Sequence, residues 1–359
     1  MNILLCMPKF IDTKHPGCNG GGAWGYTLEK QFKRLGWNVT FLNSFEDDYV
    51  PFWRVSGQDI IIFRHSYQTN FNRYKDIVSK VDPGTLIVQN YIEDNATTDW
   101  ESFKVCKETD IWLGQSNDQV ELARKAGYKS RLLHYPLDLS KFSSIPRMNK
   151  NILYVGRFCP YKGTEVLMEA FKIVKEKHPN ATLTLKGAWS WGYWGSKYDR
   201  RFMNYASSTE ITARKISRIR LINGWTSPET IYDYYNESSI LVFPVSGEGY
   251  GGPIVEAQAA AMPVITSGFP SQKEKITEGE DGYFISNTWL DTYLKKWMLP
   301  DPEKIAEKIN FFFDNMEMIN VFGKRARAKA EHLYDENKVM KDLIDYLIKE
   351  LEEKRNVKA

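Results

Sequence analysis

The chain has 359 residues, enough for two domains, and a net charge of +3, too small to signal a nucleic-acid partner. Its four cysteines form no C-x-x-C pair and its five histidines lie scattered, which argues for a reduced, cytoplasmic setting and against a metal centre. No apolar run reaches membrane-span length, and Pro8 and Lys9 stop the opening one too early for a signal peptide.

In chain order, residues 2–6 read as a first strand, followed by a loop carrying Gly17, Gly20, Gly21 and Gly22. Residues 27–35 read as a helix with Leu28, Phe32 and Leu35 on one face and Gly36 as its stop. Residues 39–42 form the next strand. Strand, glycine loop, helix, strand is how a doubly wound α/β domain opens. Gly20 to Gly22 either offer amides to a phosphate or form a plain flexible loop. Apolar runs at 60–63, 86–88, 111–113 and 131–133 continue the pattern. Ser116 is expected to cap a helix rather than to act in catalysis. His65, ending a strand, is read as structural, and Asp47-Asp48 beside Glu46 as a solvated turn rather than a metal pair. Periodicity lapses over 143–150, which sets a predicted boundary: one domain over 1–146, a second over 147–336.

The pattern restarts with a strand at 152–155. The loop Gly156-Arg157-Phe158-Cys159-Pro160-Tyr161-Lys162-Gly163 follows. A helix comes next, capped by Thr164 and carrying Val166, Leu167, Ala170, Phe171 and Val174 at helical spacing. Further strands are predicted at 182–185, 219–222, 240–243, 264–266 and 283–285. Two such domains imply a cleft, and ligands of these sheets gather at the carboxyl ends of the strands. Arg157 and Lys162 leave such an end. A guanidinium fork and an ammonium point charge suit a diphosphate, although two basic residues can equally form a surface pair.

Aromatic residues are abundant, with 11 Trp, 20 Tyr and 19 Phe. Trp189, Trp191, Tyr193, Trp194 and Tyr198 crowd together just before Arg200, Arg201, Arg214, Lys215, Arg218 and Arg220. An acceptor platform, a membrane-surface contact, and a satellite core beside a solvated basic helix all fit this segment. Residues 302–329 read as helices with Ile305, Ile309, Phe312 and Phe313 inward. Residues 337–351 read as a last amphipathic helix striped by Met340, Leu343, Ile344, Leu347 and Leu351, before a frayed Glu/Lys-rich tail.

The most informative stretch is Gly247-Glu248-Gly249-Tyr250-Gly251-Gly252-Pro253-Ile254-Val255-Glu256. A buried strand leads into it, and an Ala-rich helix with Pro253 at its first position leads out. Four glycines let amides approach a ligand, and the helix N-terminus favours negative charge. Glu248 and Glu256 are then suited to hydroxyl groups, so a ligand with both phosphates and hydroxyls is expected. Gly247, Gly249 and Gly252 also satisfy the dinucleotide pattern G-x-G-x-x-G. Their late position, and the missing acidic residue at the end of a following strand, count against that reading. A turn without a ligand is the plainest alternative.

Three pieces in this order resemble the retaining glycosyltransferases of family four: Gly156-Arg157-Phe158 with Lys162-Gly163, then Asn223-Gly224-Trp225, then the Glu248-to-Glu256 element running on to Pro263-Val264-Ile265. The resemblance covers nearly the whole chain and is strongest over 151–282. It implies the GT-B architecture, two Rossmann-like doubly wound parallel-sheet domains facing across a cleft, with the last helix, about 337–359, packing back onto the N-terminal domain.

By position, the resemblance places Arg157 and Lys162 on the donor diphosphate, Glu256 on the ribose and Glu248 beside the donor sugar. Gly249, Tyr250, Gly251 and Gly252 match the loop whose amides touch sugar and phosphate; Gly187 and Trp225 fall near the base; Gly21 and Gly22 match the N-terminal loop that closes on the diphosphate. It implies sugar transfer from a UDP- or GDP-sugar to a glycan or lipid-linked acceptor, with no metal and no other cofactor. A sugar-nucleotide epimerase and a non-catalytic nucleotide-sugar binder are the alternatives. Departures lie on the acceptor side: Val88-Gln89-Asn90-Tyr91 lacks the family's His, and His134-Tyr135-Pro136-Leu137-Asp138 replaces its usual Pro-Asn-Gly-Val-Asp. Ala261 and Gln258 stand where Gly and Met are usual.

Overall fold

The computed structural model describes residues 1–7, 19–43, 50–65, 71–91, 106–189, 200–224, 228–285, 289–291, 296–298 and 300–358. The chain divides into two compact units, Met1–Pro136 with Glu336–Ala359, and Leu137–Asp335.

In the first unit, β1 (Asn2–Met7), β2 (Asn38–Asn43), β3 (Ile60–His65), β4 (Leu86–Tyr91), β5 (Ile111–Gly114) and β6 (Lys129–Leu132) form one sheet in the order β2-β1-β3-β4-β5-β6. All its pairings are parallel. Parallel strands are covered on both faces, so they read as unbroken apolar runs. Ile3, Leu5, Ile62 and Val88 fill one core; Leu4, Ile61, Ile87 and Trp112 fill the other.

The first helix spans Asn19–Arg34, eight residues longer at its start than the sequence suggested. Gly20 to Gly22 thus belong to its opening turn rather than to a loop. The first amides of a helix have no intrahelical acceptor, so glycines there leave those N–H groups open to a ligand. Leu35 lies beyond the helix end and is 52% exposed. Trp37 packs against the core in place of Leu35, stacking on Phe32 with ring centroids 4.9 Å apart. Ser116 does cap its helix, accepting from the Gln119 N–H.

The Glu336–Lys358 helix buries Met340, Leu343, Leu347 and Leu351 in the first unit's core, with Ile344 packed against it. Its end is pinned rather than frayed. Lys354 Nζ lies 2.7 Å from Thr85 O and 2.6 Å from Asp110 Oδ2, and Arg355 reaches Asp59.

In the second unit, β7 (Asn151–Phe158), β8 (Thr182–Trp189), β9 (Ile219–Asn223), β10 (Ile240–Phe243), β11 (Val264–Thr266) and β12 (Gly282–Phe284) pair in the order β12-β11-β10-β7-β8-β9, again all parallel. A short antiparallel pair, Trp289–Asp291 with Lys296–Met298, stands apart from it. Helix Pro302–Asp314 turns Ile305, Ile309, Phe312 and Phe313 inward, and helix Met316–Leu333 buries Ile319 and Phe322.

The Ser143-to-Lys150 stretch is tied into this unit by Arg147, whose buried guanidinium donates to the carbonyls of Ser143, Tyr235, Asn236, Ser238 and Ala260. Removing it leaves several enclosed carbonyls without donors. Arg147→Met is expected to lower the unfolding free energy by roughly 3–5 kcal/mol, read as a reduced urea midpoint. An unchanged midpoint would show that the carbonyls find other partners.

Candidate functional site

β7 and β10 are neighbours, so the loops leaving their carboxyl ends lie side by side. After β7 the chain makes a 3-10 turn, Pro160–Lys162, and passes through Gly163 at φ +72°. A Cβ on Gly163 would stand 2.0 Å from Pro244 O, so only glycine lets the turn lie flush on the segment after β10. The Ser246 N–H donates to Tyr161 O at 2.7 Å and locks the two loops together. Gly163, not Thr164, occupies the cap position of the Thr164–Lys177 helix. The Thr164 hydroxyl pairs instead with that of Tyr205 at 3.0 Å.

This contact delivers Lys162 to the glycine loop. The residue is 4% exposed, with Nζ 2.8 Å from Glu248 Oε2 and 3.2 Å from Gly247 O. Glu248 Oε1 accepts from the N–H groups of Gly249 and Tyr250 at 3.1 and 3.3 Å. An ammonium and two loop amides thus surround one carboxylate. Such a cradle recognises any oxyanion. Arg157, half-buried on the same rim, places its guanidinium 5.7 Å from the Tyr161 ring centroid, while Lys162 lies 4.8 Å from that ring.

The loop runs through Gly251 at φ +82° into the Gly252–Ala259 helix, which has no side-chain cap. Glu256 lies on that helix and accepts from the Tyr235 hydroxyl, not from the Lys162 cluster. Burial pushes its carboxyl up, and the Tyr235 bond offsets part of that. Near the carboxyl end of β8, Gly187 lies beside Gly156, whose carbonyl oxygen would sit 1.8 Å from a Cβ there. Only glycine therefore fits this close approach of β8 to β7.

Arg157, Lys162, Glu248, Gly249, Tyr250, Gly251, Gly252, Glu256 and Gly187 all lie at the carboxyl ends of the second sheet or on the helix that follows. Gly21 and Gly22 belong to the first unit, in the opening of the Asn19–Arg34 helix. Trp225, the aromatic residues from Trp191 to Tyr198, and Asp47-Asp48 lie outside the described residues. Trp189 is described and packs on Phe158 and Tyr205, with centroids 5.0 and 6.0 Å away.

Two neighbours of the loop went unread in the sequence. Tyr235 lacked any signal beyond its place on an inward helix face. Lys275 is 3% exposed, with Nζ 4.0 Å from the centroid of the Tyr250 ring and 2.7 Å from Ser271 O. Burial pushes its ammonium down to about 8. It stands in a run with Lys273 and Glu274 that looks like a solvated turn.

The family model described as "Glycosyl transferases group 1" matches residues 138–329. The capsular polysaccharide biosynthesis glycosyltransferase CapM of Staphylococcus aureus is 25% identical over 203 residues, 56% of this chain and 47% of CapM. The chain spans about half the length of the curated relatives it matches. Among solved structures, sucrose-phosphate synthase of Thermosynechococcus elongatus aligns with a TM-score of 0.70 at 16% identity, covering 97% of this chain and 99% of that one. Anabaena Alr3699/HepE, in complex with UDP and glucose, aligns at 0.69 with 13% identity, covering 97% and 100%. At such identities the likeness is one of fold, and it is the GT-B pair of Rossmann-like parallel sheets.

Proposed function

This chain belongs to the group 1 glycosyl transferases, and from that premise we propose that it moves a sugar from a UDP- or GDP-sugar to a hydroxyl of a glycan or lipid-linked acceptor. The reaction in this reading retains the anomeric configuration and uses no metal. The observation that carries it is the cradle of Lys162 and the Gly249 and Tyr250 amides, which holds an oxyanion at the carboxyl ends of the strands.

In this mechanism the bond from the anomeric carbon to the diphosphate oxygen breaks, and its electron pair stays on the diphosphate. Lys162, Arg157 and the loop amides are aimed at that growing charge, which is electrostatic preorganisation. The acceptor hydroxyl attacks the anomeric carbon from the face the diphosphate leaves. Its proton passes to a leaving phosphate oxygen. Glu248, released from Lys162 by the incoming diphosphate, orients the sugar and stabilises positive charge at the anomeric carbon. Glu256 holds the ribose hydroxyls; its raised affinity for a proton and its Tyr235 partner suit a carboxyl that exchanges hydrogen bonds with neutral hydroxyls. Gly187 lines the base.

Relatives and neighbours support the substrate class: CapM by its name belongs to capsular polysaccharide biosynthesis, and HepE was solved with UDP and glucose. No helix among the described residues is long and apolar enough to cross a membrane. In this reading a lipid-linked acceptor is met at the inner face of the membrane by peripheral contact, with the enzyme in the cytoplasm.

A thermal-shift panel of UDP, GDP and ADP, each alone and sugar-loaded, tests the reading. A ligand at about 100 times its Kd adds about 2.7 kcal/mol to stability, so one nucleotide should raise the melting temperature by several degrees. No shift with any of them would overturn the assignment. Product analysis with the shifting donor alone then separates transfer from epimerisation, since only an epimerase releases a converted sugar without an acceptor. Binding without turnover across a broad acceptor panel would mark a non-catalytic binder.

A further inference from the structure

We propose that Lys275 is a positioning residue for the glycine loop: its charge holds the Tyr250 ring, and through it the loop amides, in the arrangement that receives a nucleoside diphosphate. The assignment rests on the donor reading above.

Lys275 and Tyr250 are 3% and 5% exposed, and the ammonium lies 4.0 Å from the ring centroid. A cation over an aromatic face is held more strongly when water is excluded. The ammonium donates to Ser271 O at 2.7 Å, and the Ser271 hydroxyl lies 3.4 Å from Glu248 O. Lys275 thus links the ring to the Pro270–Lys273 turn, and Ser271 of that turn reaches the backbone of the cradle. Beneath it, Gln272 Nε2 would stand 3.6 Å from a Cβ on Gly251, and Glu248 Cγ at the same distance.

A methyl-tipped side chain would fill this space without the cost of burying a charge, so the charge itself needs a reason. Lys162 is neutralised by Glu248 in direct contact. Among the described residues no carboxylate touches Lys275 in that way; Glu248 from the loop and Glu274 from its own turn act on it at longer range. On the Met316–Leu333 helix the nearest charge is Lys329, itself paired with Asp281. The Lys275 ammonium is therefore the positive charge behind the loop that awaits an anion. Its backbone is anchored separately: the carbonyl oxygen accepts from Gln258 Nε2 and Lys329 Nζ, each at 2.8 Å. Removing the ammonium leaves those bonds in place.

Calorimetric titration of the full chain with the nucleoside diphosphate that gives the thermal shift tests this, from about pH 7 to about pH 9.5. Burial leaves the free ammonium titrating near 8, and a bound anion holds its proton. Wild-type affinity should be full below that pH and fall by about tenfold above it. Lys275→Arg should bind with little pH dependence, since its charge persists. Lys275→Met should bind about tenfold more weakly already at neutral pH, with a flat profile. If Lys275→Met fails to fold, the wild-type and Lys275→Arg profiles still decide. Identical profiles in the wild type and the variants would overturn the assignment while leaving donor binding intact. No binding by the wild type at any pH would overturn the donor reading and the assignment with it.

Discussion

Replacing Lys162 with methionine is expected to lower kcat/KM for sugar transfer by about 10²- to 10³-fold, the usual cost of losing one donor aimed at a developing oxyanion. The same change should also destabilise the protein. Glu248 and Lys162 expose 11% and 5% of their side chains, so the pair is largely out of water. Breaking such a pair by deleting one partner costs about 3–5 kcal/mol, because the other charge is stranded. Lost stability and lost catalysis must therefore be separated. Adding Glu248→Gln to Lys162→Met removes the stranded charge and should restore most of the melting temperature without restoring transfer. Glu248→Gln alone frees the ammonium from its internal competitor. Nucleoside diphosphate affinity should then rise while turnover falls. Wild-type kcat/KM in Lys162→Met would reject the role assigned to the ammonium.

The second large effect is expected at Gly163. Alanine there meets two penalties at once, a left-handed φ of +72° and a Cβ 2.0 Å from the Pro244 carbonyl oxygen. The first costs about 1–3 kcal/mol. The second cannot be relieved by rotating a side chain, since the obstacle is backbone. Gly279 provides the control, with a similar φ of +77° and nothing within 4 Å of its added Cβ. Gly279→Ala should therefore cost only the conformational part, and Gly163→Ala at least about 3 kcal/mol in denaturant unfolding. The shift should also lift the Pro160–Lys162 turn off the loop after β10 and draw Lys162 from Glu248. Nucleotide affinity should fall in Gly163→Ala and stay level in Gly279→Ala. Equal losses in the two variants would show that the close approach to Pro244 is unimportant.

The central strands were legible because they are buried on both faces, so Ile60-Ile61-Ile62-Phe63 or Ile240-Leu241-Val242-Phe243 carries its address in plain hydrophobicity. The helices were less so at their ends. Gly20 to Gly22 look like a loop because glycine opposes helix locally, but the first turn of a helix tolerates it where interior turns do not. The tail from Glu352 onward looks frayed because it is charged; its lysine and arginine find Asp110 and Asp59, partners more than 240 residues away that no local pattern reveals. At the candidate site, strand order alone was enough to expect Arg157, Lys162 and the Glu248 loop at one end of a sheet. The direct Lys162–Glu248 contact was not foreseeable, since both were read as facing a ligand. Lys275 was passed over for the opposite reason: a lysine among charged neighbours reads as surface, and only packing shows the Tyr250 ring beneath it.

The seat of the Glu336–Lys358 helix in the first unit's core dictates an order of assembly during synthesis. The second sheet is built from one uninterrupted span, Leu137–Asp335, and can close as soon as that span clears the ribosome. The first must wait, its apolar face uncovered, until the Glu336–Lys358 helix is translated. Fragments ending before Val339 should therefore leave a nascent chain whose earlier half is sticky while its later half is already native, the reverse of the usual progression from the N-terminus.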